Sequence, residues 1–270
     1  MNVKNPIDKI YKVVGSSPIK HDGSDKTTGK AFYGADITLP GMIYGKVLRS
    51  PYPHAIIKSI DISRAIAHPD VQAVATYKDL VTDKPTSQQV VLRKTESHNI
   101  LATDKVLYKG HPVAAIAATS PHLAEELLEL ISVEYTCLKE VIKVEDALKL
   151  DAPVLHDHWN QIDSSYSKNL AEVQKNTMGD LDHGFGQSDC IVEREFRTKS
   201  VHQGYIEPQT STAWWSPDNR LTIWTSTQGH FTVANNVARL LGISNSEVKV
   251  VPMEIGGGFG GKNPIYLEPV

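Results

Sequence analysis

Two kinds of hydrophobic spacing divide the chain. From Gly41 to Ile62 apolar residues come in short runs of the strand kind, with Met42, Tyr44, Val47 and Leu48 before a break at Ser50-Pro51-Tyr52-Pro53 and Ala55–Ile62 after it. Ser63–His68 fits one short helix stopped by Pro69, and Val71–Tyr77 fits another strand. Residues 82–98 are polar and aperiodic, which predicts a loop. Val113–Ala118 is a short apolar run suited to a buried strand. Ser120-Pro121 then supplies an N-cap and a proline at the first helical position. Leu123, Ala124, Leu127, Leu128 and Ile131 share one face of the helix that follows, and Ser132–Tyr135 returns as a strand.

This mixture predicts an α+β domain over residues 25–150, preceded by an extended lead-in over 1–24. Residues 151–190 are loop-rich, with Pro153, Gly179, Gly184 and Gly186, and serve as a linker. Over 191–270 a second α+β unit is predicted. Cys190–Arg197 and Thr210–Trp215 alternate like strands, and Leu221–Thr225 and Val248–Val251 are further strands. Between the last two lies an amphipathic helix, Thr232–Leu241, with Val233, Val237 and Leu240 on one face, Arg239 in its last turn and Gly242 as its stop.

Composition narrows the function. The 270 residues carry 28 Lys and Arg against 31 Asp and Glu, a net charge of -3, which predicts no nucleic-acid partner and no anionic membrane surface. No apolar run has the length of a membrane span, and the opening Met1-Asn-Val-Lys-Asn-Pro lacks the apolar core of a signal peptide, so a cytoplasmic setting is expected. Cys137 and Cys190 form no CxxC pair and no Cys/His cluster, so neither a zinc nor an iron–sulfur site is expected here.

The sharpest chemical feature is Gly256-Gly-Gly-Phe-Gly-Gly-Lys262. Glycine loses the most conformational freedom on folding, so such a cluster needs a close approach or an unusual backbone angle. Gly256-x4-Gly261-Lys262 nearly matches a phosphate-binding P-loop, but Asn263 stands where Ser or Thr would hold magnesium. Gly256-x-Gly258-x-x-Gly261 matches a dinucleotide fingerprint, which needs a following helix and an acidic residue about 20 positions on. A glycine-rich turn without a ligand is the plain alternative. Upstream, Ser226-Thr227-Gln228 closes a strand just before the amphipathic helix.

Together, Ser-Thr-Gln, helix, Leu-Gly, strand and Gly-Gly-Gly-Phe-Gly-Gly-Lys resemble the molybdenum hydroxylases, the family of xanthine dehydrogenase, aldehyde oxidase and carbon monoxide dehydrogenase. The resemblance runs along most of the chain. Asp25-x-x-Thr28-Gly29-Lys30-Ala31 and Tyr33-x-x-Asp36-Ile37 look like its opening. Gly41-Met42, Arg49-Ser50-Pro51-Tyr52-Pro53-His54-Ala55, Ser59-Ile60-Asp61, Asp104-Lys105-Val106, Tyr108, Gly110 and Pro112-Val113 look like its α/β hammerhead domain. Gly179-Asp180, Arg194-Glu195-Phe196-Arg197 and His202-Gln203-Gly204-Tyr205-Ile206-Glu207-Pro208 look like the entry to its molybdopterin domain.

The resemblance implies the N-terminal part of a molybdopterin-binding large subunit: a hammerhead domain followed by the first part of the molybdopterin domain. It implies molybdopterin, in a dinucleotide form, held by Gln228, Gly257, Gly258, Phe259 and Gly260, with the Gln228 amide donating to an oxo ligand of molybdenum and no direct protein ligand to the metal. It implies hydroxylation of a small substrate with water as oxygen source. It also implies partners: the rest of the molybdopterin subunit, an iron–sulfur subunit and an FAD subunit.

Two departures stand out. The family's general-base glutamate lies beyond the equivalent of residue 270, so no catalytic residue is expected in this chain, which alone is expected to be inactive. Asn263 stands where some purine-oxidising members carry glutamate, so the substrate stays open. His54, His202 and Glu207 are expected to be structural. A non-catalytic assembly subunit that kept the fold is the alternative of a different class, and a P-loop-like nucleotide-binding protein is the third.

Overall fold

The computed structural model of the chain describes residues 12–80, 99–157, 162–263, 268 and 270. The loop expected over 82–98 falls outside them, as do residues 1–11 of the lead-in and the apolar residues 265–267.

Among the described residues, nine strands build three sheets of three. In the first, β5 (Pro112–Ala118) lies between β1 (Tyr44–Arg49) and β3 (Val71–Thr76), antiparallel to both. In the second, β2 (Ala55–Asp61) lies between β4 (Lys105–Val106) and β6 (Ser132–Cys137), again antiparallel. β5 is a buried central strand, as its apolar run predicts. Its alanines present little bulk, which lets a helix lie close against it. That helix, α1 (Pro121–Leu127), starts as expected: the Ser120 side chain accepts from the Leu123 amide at 3.2 Å and Pro121 opens the first turn. It is shorter than its periodicity suggests, tightening at Leu128–Leu130 into a 3-10 turn. Ala124, Leu127 and Ile131 are buried on Ala114, Ile116 and Ala118, whereas Leu128 is only half-buried.

The third sheet carries the glycine cluster. β8 (Leu221–Thr225) pairs antiparallel with β7 (Ser211–Trp215) and parallel with β9 (Val248–Pro252). A parallel pair cannot be joined by a tight turn, and the connection here is helix α2 (His230–Leu241). Val233, Ala234, Val237 and Ala238 bury their face on Leu221, Ile223 and Val248, and Gly242 ends the helix at φ 70°. Gln228 lies in the turn between β8 and α2, and the glycine cluster follows β9, so the parallel pairing delivers both to one end of the sheet.

One expected strand is absent. Cys190–Arg197 alternates, but residues 191–210 carry no regular structure and residues 171–204 are all exposed. Alternation gives a strand only where a neighbour accepts its backbone hydrogen bonds, and no described strand lies beside this one. Several short elements lack any periodic signal, among them the helices Gly23–Thr28 and Leu181–Gly186. The first belongs to a segment docked on the third sheet. Lys26 pairs with Glu254 at 2.9 Å, the Glu254 amide donates to the Phe32 carbonyl at 3.1 Å, and Gly34 packs against Thr210 and Ser226.

Candidate functional site

Gly256 lies 28 positions after Gln228 in the sequence, and the fold closes that gap. The side-chain oxygen of Gln228 accepts from the amide of Gly260 at 3.0 Å and from that of Lys262 at 3.3 Å. The backbone is stitched as well: the Gln228 amide donates to the Lys262 carbonyl at 3.0 Å, and the Thr227 hydroxyl donates to the same oxygen at 3.1 Å. Two N–H donors can be met only by the oxygen of a primary amide, so the flip of the Gln228 side chain is fixed by chemistry. That leaves the –NH2 as the end not engaged by these two amides, on an exposed residue. A neutral donor anchored from behind is the arrangement expected of a group that holds an electron-rich oxygen without adding charge.

The loop is moulded around protein side chains. A Cβ added at Gly258 would sit 2.5 Å from the Gln228 side-chain oxygen, and one at Gly256 would sit 2.5 Å from Cβ of Glu207. One at Gly261 would meet the Tyr205 ring at 2.7 Å. These three glycines are thus required by the protein's own packing. Gly260 differs: nothing lies within 4 Å of the missing Cβ, and the residue sits at φ 89°, a left-handed angle that favours glycine. Phe259 adopts φ 50°, rare for a bulky residue, and its ring stays 72% exposed beside Gly257. A strained backbone that presents an aromatic ring to solvent suggests a ligand-facing role.

Behind the loop lies a brace that sequence reasoning missed. The Glu207 carboxylate accepts from the Gly256 amide at 2.7 Å and from the Lys262 ammonium at 2.6 Å. The Gln209 side-chain amide donates to the Gly261 carbonyl at 3.0 Å, and the Lys262 ammonium lies 5.1 Å from the Tyr205 ring centre. Lys262 is fully buried. Tyr205, Glu207 and Gln209 all belong to or adjoin the 202–208 motif, which was the one available signal; its shape as a brace required the fold.

Burial of Lys262 also removes the P-loop reading. A P-loop lysine must reach phosphate, whereas this ammonium is sealed against Glu207. His54 is buried with Nδ1 at 2.7 Å from the Lys139 carbonyl, and His202 accepts from the Gly204 amide at 3.1 Å. The first ties the start of β2 to the chain that follows β6, and the second is local. Among the described residues no group of three or more His, Cys, Asp or Glu gathers as a metal site, and no helix is long and apolar enough to cross a membrane.

Comparison with known proteins accords with this geometry. The aldehyde oxidase and xanthine dehydrogenase a/b hammerhead domain matches residues 28–139, and the molybdopterin cofactor-binding domain matches residues 162–270. The chain belongs to the molybdenum hydroxylase family. It is 34% identical over 261 residues to the nicotinate dehydrogenase large molybdopterin subunit of Eubacterium barkeri, covering 96% of this chain and 58% of that one. It is 31% identical over 255 residues to the xanthine dehydrogenase molybdenum-binding subunit of Escherichia coli, covering 92% of this chain and 33% of that one. Among solved structures, the carbon monoxide dehydrogenase of Oligotropha carboxidovorans superposes with a TM-score of 0.75 at 27% identity, over 94% of this chain and 32% of that one. The chain thus spans from about a third to three fifths of the length of these relatives.

Proposed function

We propose that this chain is the cofactor-holding front part of a molybdenum hydroxylase, acting on a small substrate with water as the oxygen source. The observation that carries this reading is the Gln228 amide, whose oxygen is occupied by two loop N–H groups, leaving the –NH2 of this exposed residue as its donor end beside the Phe259 loop. The residues present suit a molybdenum cofactor with a terminal oxygen: a neutral donor, an exposed aromatic wall and a loop with open backbone at Gly260. When bound, that cofactor supplies the two-electron oxidation of the substrate. Gln228 would donate a hydrogen bond to it, Phe259 would shield it from water on one side, and the backbone of Gly257, Gly258 and Gly260 would line its pterin. A dinucleotide form of the cofactor belongs to the same reading.

The general base lies on the rest of the large subunit in this reading, and electrons leave through iron–sulfur and FAD partner subunits. The exposed residues Ile191, Val192, Phe196, Val201 and Ile206 support a missing cover, since soluble proteins seldom leave such a run open to water. Residues 1–24, 25–150, 151–190 and 191–270 remain our division into lead-in, hammerhead domain, linker and first portion of the molybdopterin domain. The setting is cytoplasmic in this reading.

Metal and pterin analysis of the chain purified together with its partner subunits tests the proposal. Near-stoichiometric molybdenum and a fluorescent oxidised pterin are expected. An assembled, folded complex that contains neither overturns it in favour of a non-catalytic assembly subunit.

A further inference from the structure

A buried ion pair is seldom the best way to stabilise a fold, because desolvation offsets most of the attraction and an apolar pair of equal volume does as well. Lys262 and Glu207 form such a pair, with side chains 0% and 12% exposed, directly behind the loop. Its geometry suggests a different purpose. One oxygen of Glu207 grips both ends of the loop, the Gly256 amide and the Lys262 ammonium, while the Glu207 amide donates to the Gly256 carbonyl at 3.2 Å. Lys262 in turn meets the Thr227–Gln228 turn through three backbone contacts. Its amide donates to the Gln228 side-chain oxygen, and its carbonyl accepts from the Gln228 amide and the Thr227 hydroxyl.

We propose that Glu207 is a positioning residue: acting through Lys262, it sets the loop's closure and so the direction in which Gln228 presents its –NH2. This rests on the cofactor reading above. The relay has one covalent span, the Lys262 side chain, and hydrogen bonds at either end. A flexible ammonium on a four-carbon stem would wander if left in water. Sealed against Glu207 and the Tyr205 ring, it transmits the carboxylate's position to the backbone that holds Gln228. The fit is close enough that a Cβ at Gly256 would overlap Glu207. Distance matters as well as charge, since the same oxygen must reach two donors.

The test uses the protein purified with its partners and two variants. Glu207→Gln keeps the shape and an acceptor for Gly256 but removes the charge that holds Lys262. Glu207→Asp keeps the charge but withdraws the carboxylate by one methylene. Both are expected to speed amide hydrogen exchange in residues 256–262 about tenfold or more while α1 and β5 stay as protected as in the wild type. Both are also expected to shift the electron paramagnetic resonance signature of the reduced metal centre. The double variant Glu207→Gln/Lys262→Met restores an uncharged, packed core, so it is expected to regain the melting temperature but not the wild-type signature. Unchanged exchange in the loop overturns the relay while leaving the cofactor reading intact. Recovery of the signature in the double variant also overturns it, showing the pair to be packing alone. If either single variant fails to fold, the other and the double variant carry the test. Absence of molybdenum from the wild type would defeat the cofactor reading, and the exchange measurement would still decide the relay.

Discussion

The side-chain oxygen of Gln228 lies 3.0 Å from the amide nitrogen of Gly260, across 32 residues of chain. That contact fixes the side-chain oxygen of a glutamine in the turn between β8 and α2, so the –NH2 is the end left to donate. Gln228→Glu keeps an acceptor for the loop amides but replaces the outward –NH2 with a second, charged acceptor. The assembled enzyme is expected to fold with a melting temperature near that of the wild type. Its turnover should fall by about a hundredfold or more, the usual loss when a preorganised donor is removed. Steady-state assay with an artificial electron acceptor, normalised to molybdenum content, checks it. Wild-type turnover in the variant would exclude a donor role.

Gly258 and Gly260 separate two reasons for glycine. Gly258→Ala would drive a methyl group into Gln228, with 2.5 Å to its oxygen and 2.7 Å to its carbonyl carbon. Gly260→Ala meets open space but must adopt a left-handed angle, which costs an L-residue roughly 1–2 kcal/mol. The first substitution is expected to displace Gln228 and lower cofactor content, the second mainly to lower stability. Comparing pterin released per chain with the denaturation midpoint distinguishes them.

In the hammerhead domain, Leu127 is 5% exposed on the β5 alanines, and Leu128 is half-buried. Leu127→Ala is expected to lower stability by about 2–5 kcal/mol, and Leu128→Ala by less. Urea titration measures both, and equal losses would contradict the packing described.

What the sequence shows of this fold follows from how local each signal is. Ser120-Pro121, the Leu127 face and the buried run of β5 are local, and each element appears where its pattern places it. The candidate residues Gln228 and Phe259 could be singled out only because two short motifs occur in one order; their convergence depends on β9 pairing parallel with β8. The brace of Tyr205, Glu207 and Gln209 was not legible. Its residues lie in a stretch without periodicity, and their partners are about 50 positions away. The docking of Lys26 on Glu254 was missed for the same reason. Cys190–Arg197 shows the converse: its alternation is real, but a strand also needs a neighbour.

That docked segment is expected to respond to acid. The Asp22 carboxyl is lowered from 3.8 to about 2, chiefly by the hydrogen bond from Lys26, with Lys20 nearby. A carboxyl depressed in the folded state adds stability above its unfolded value, and that contribution is lost as pH falls through the folded value. The window is therefore pH about 4 down to about 2. Exchange of the Glu254 amide, which is bonded to the Phe32 carbonyl, is expected to quicken over that range relative to the amides of β9. Asp22→Asn should flatten this local response, and an identical profile in the variant would show that Asp22 is not its source.

The last expectation concerns assembly. Phe196 is 88% exposed, Val201 83% and Ile206 96%, on a stretch whose backbone pairs with no described strand. Apolar side chains in water and unpaired backbone donors favour the same remedy, a partner that adds strands and covers the side chains together. The rest of the large subunit is expected to supply it, through an interface in the obligate class, above about 2,000 Å² of total buried area. Replacing Phe196 and Ile206 with Asp should leave α1 and the β5 sheet intact, because neither residue belongs to that core, while weakening co-purification with the remaining large subunit. Light scattering on the chain alone provides the complement: self-association is expected, and the two Asp substitutions should reduce it. A wild-type chain that stays monomeric and retains none of the partner subunits would show that this surface needs no cover.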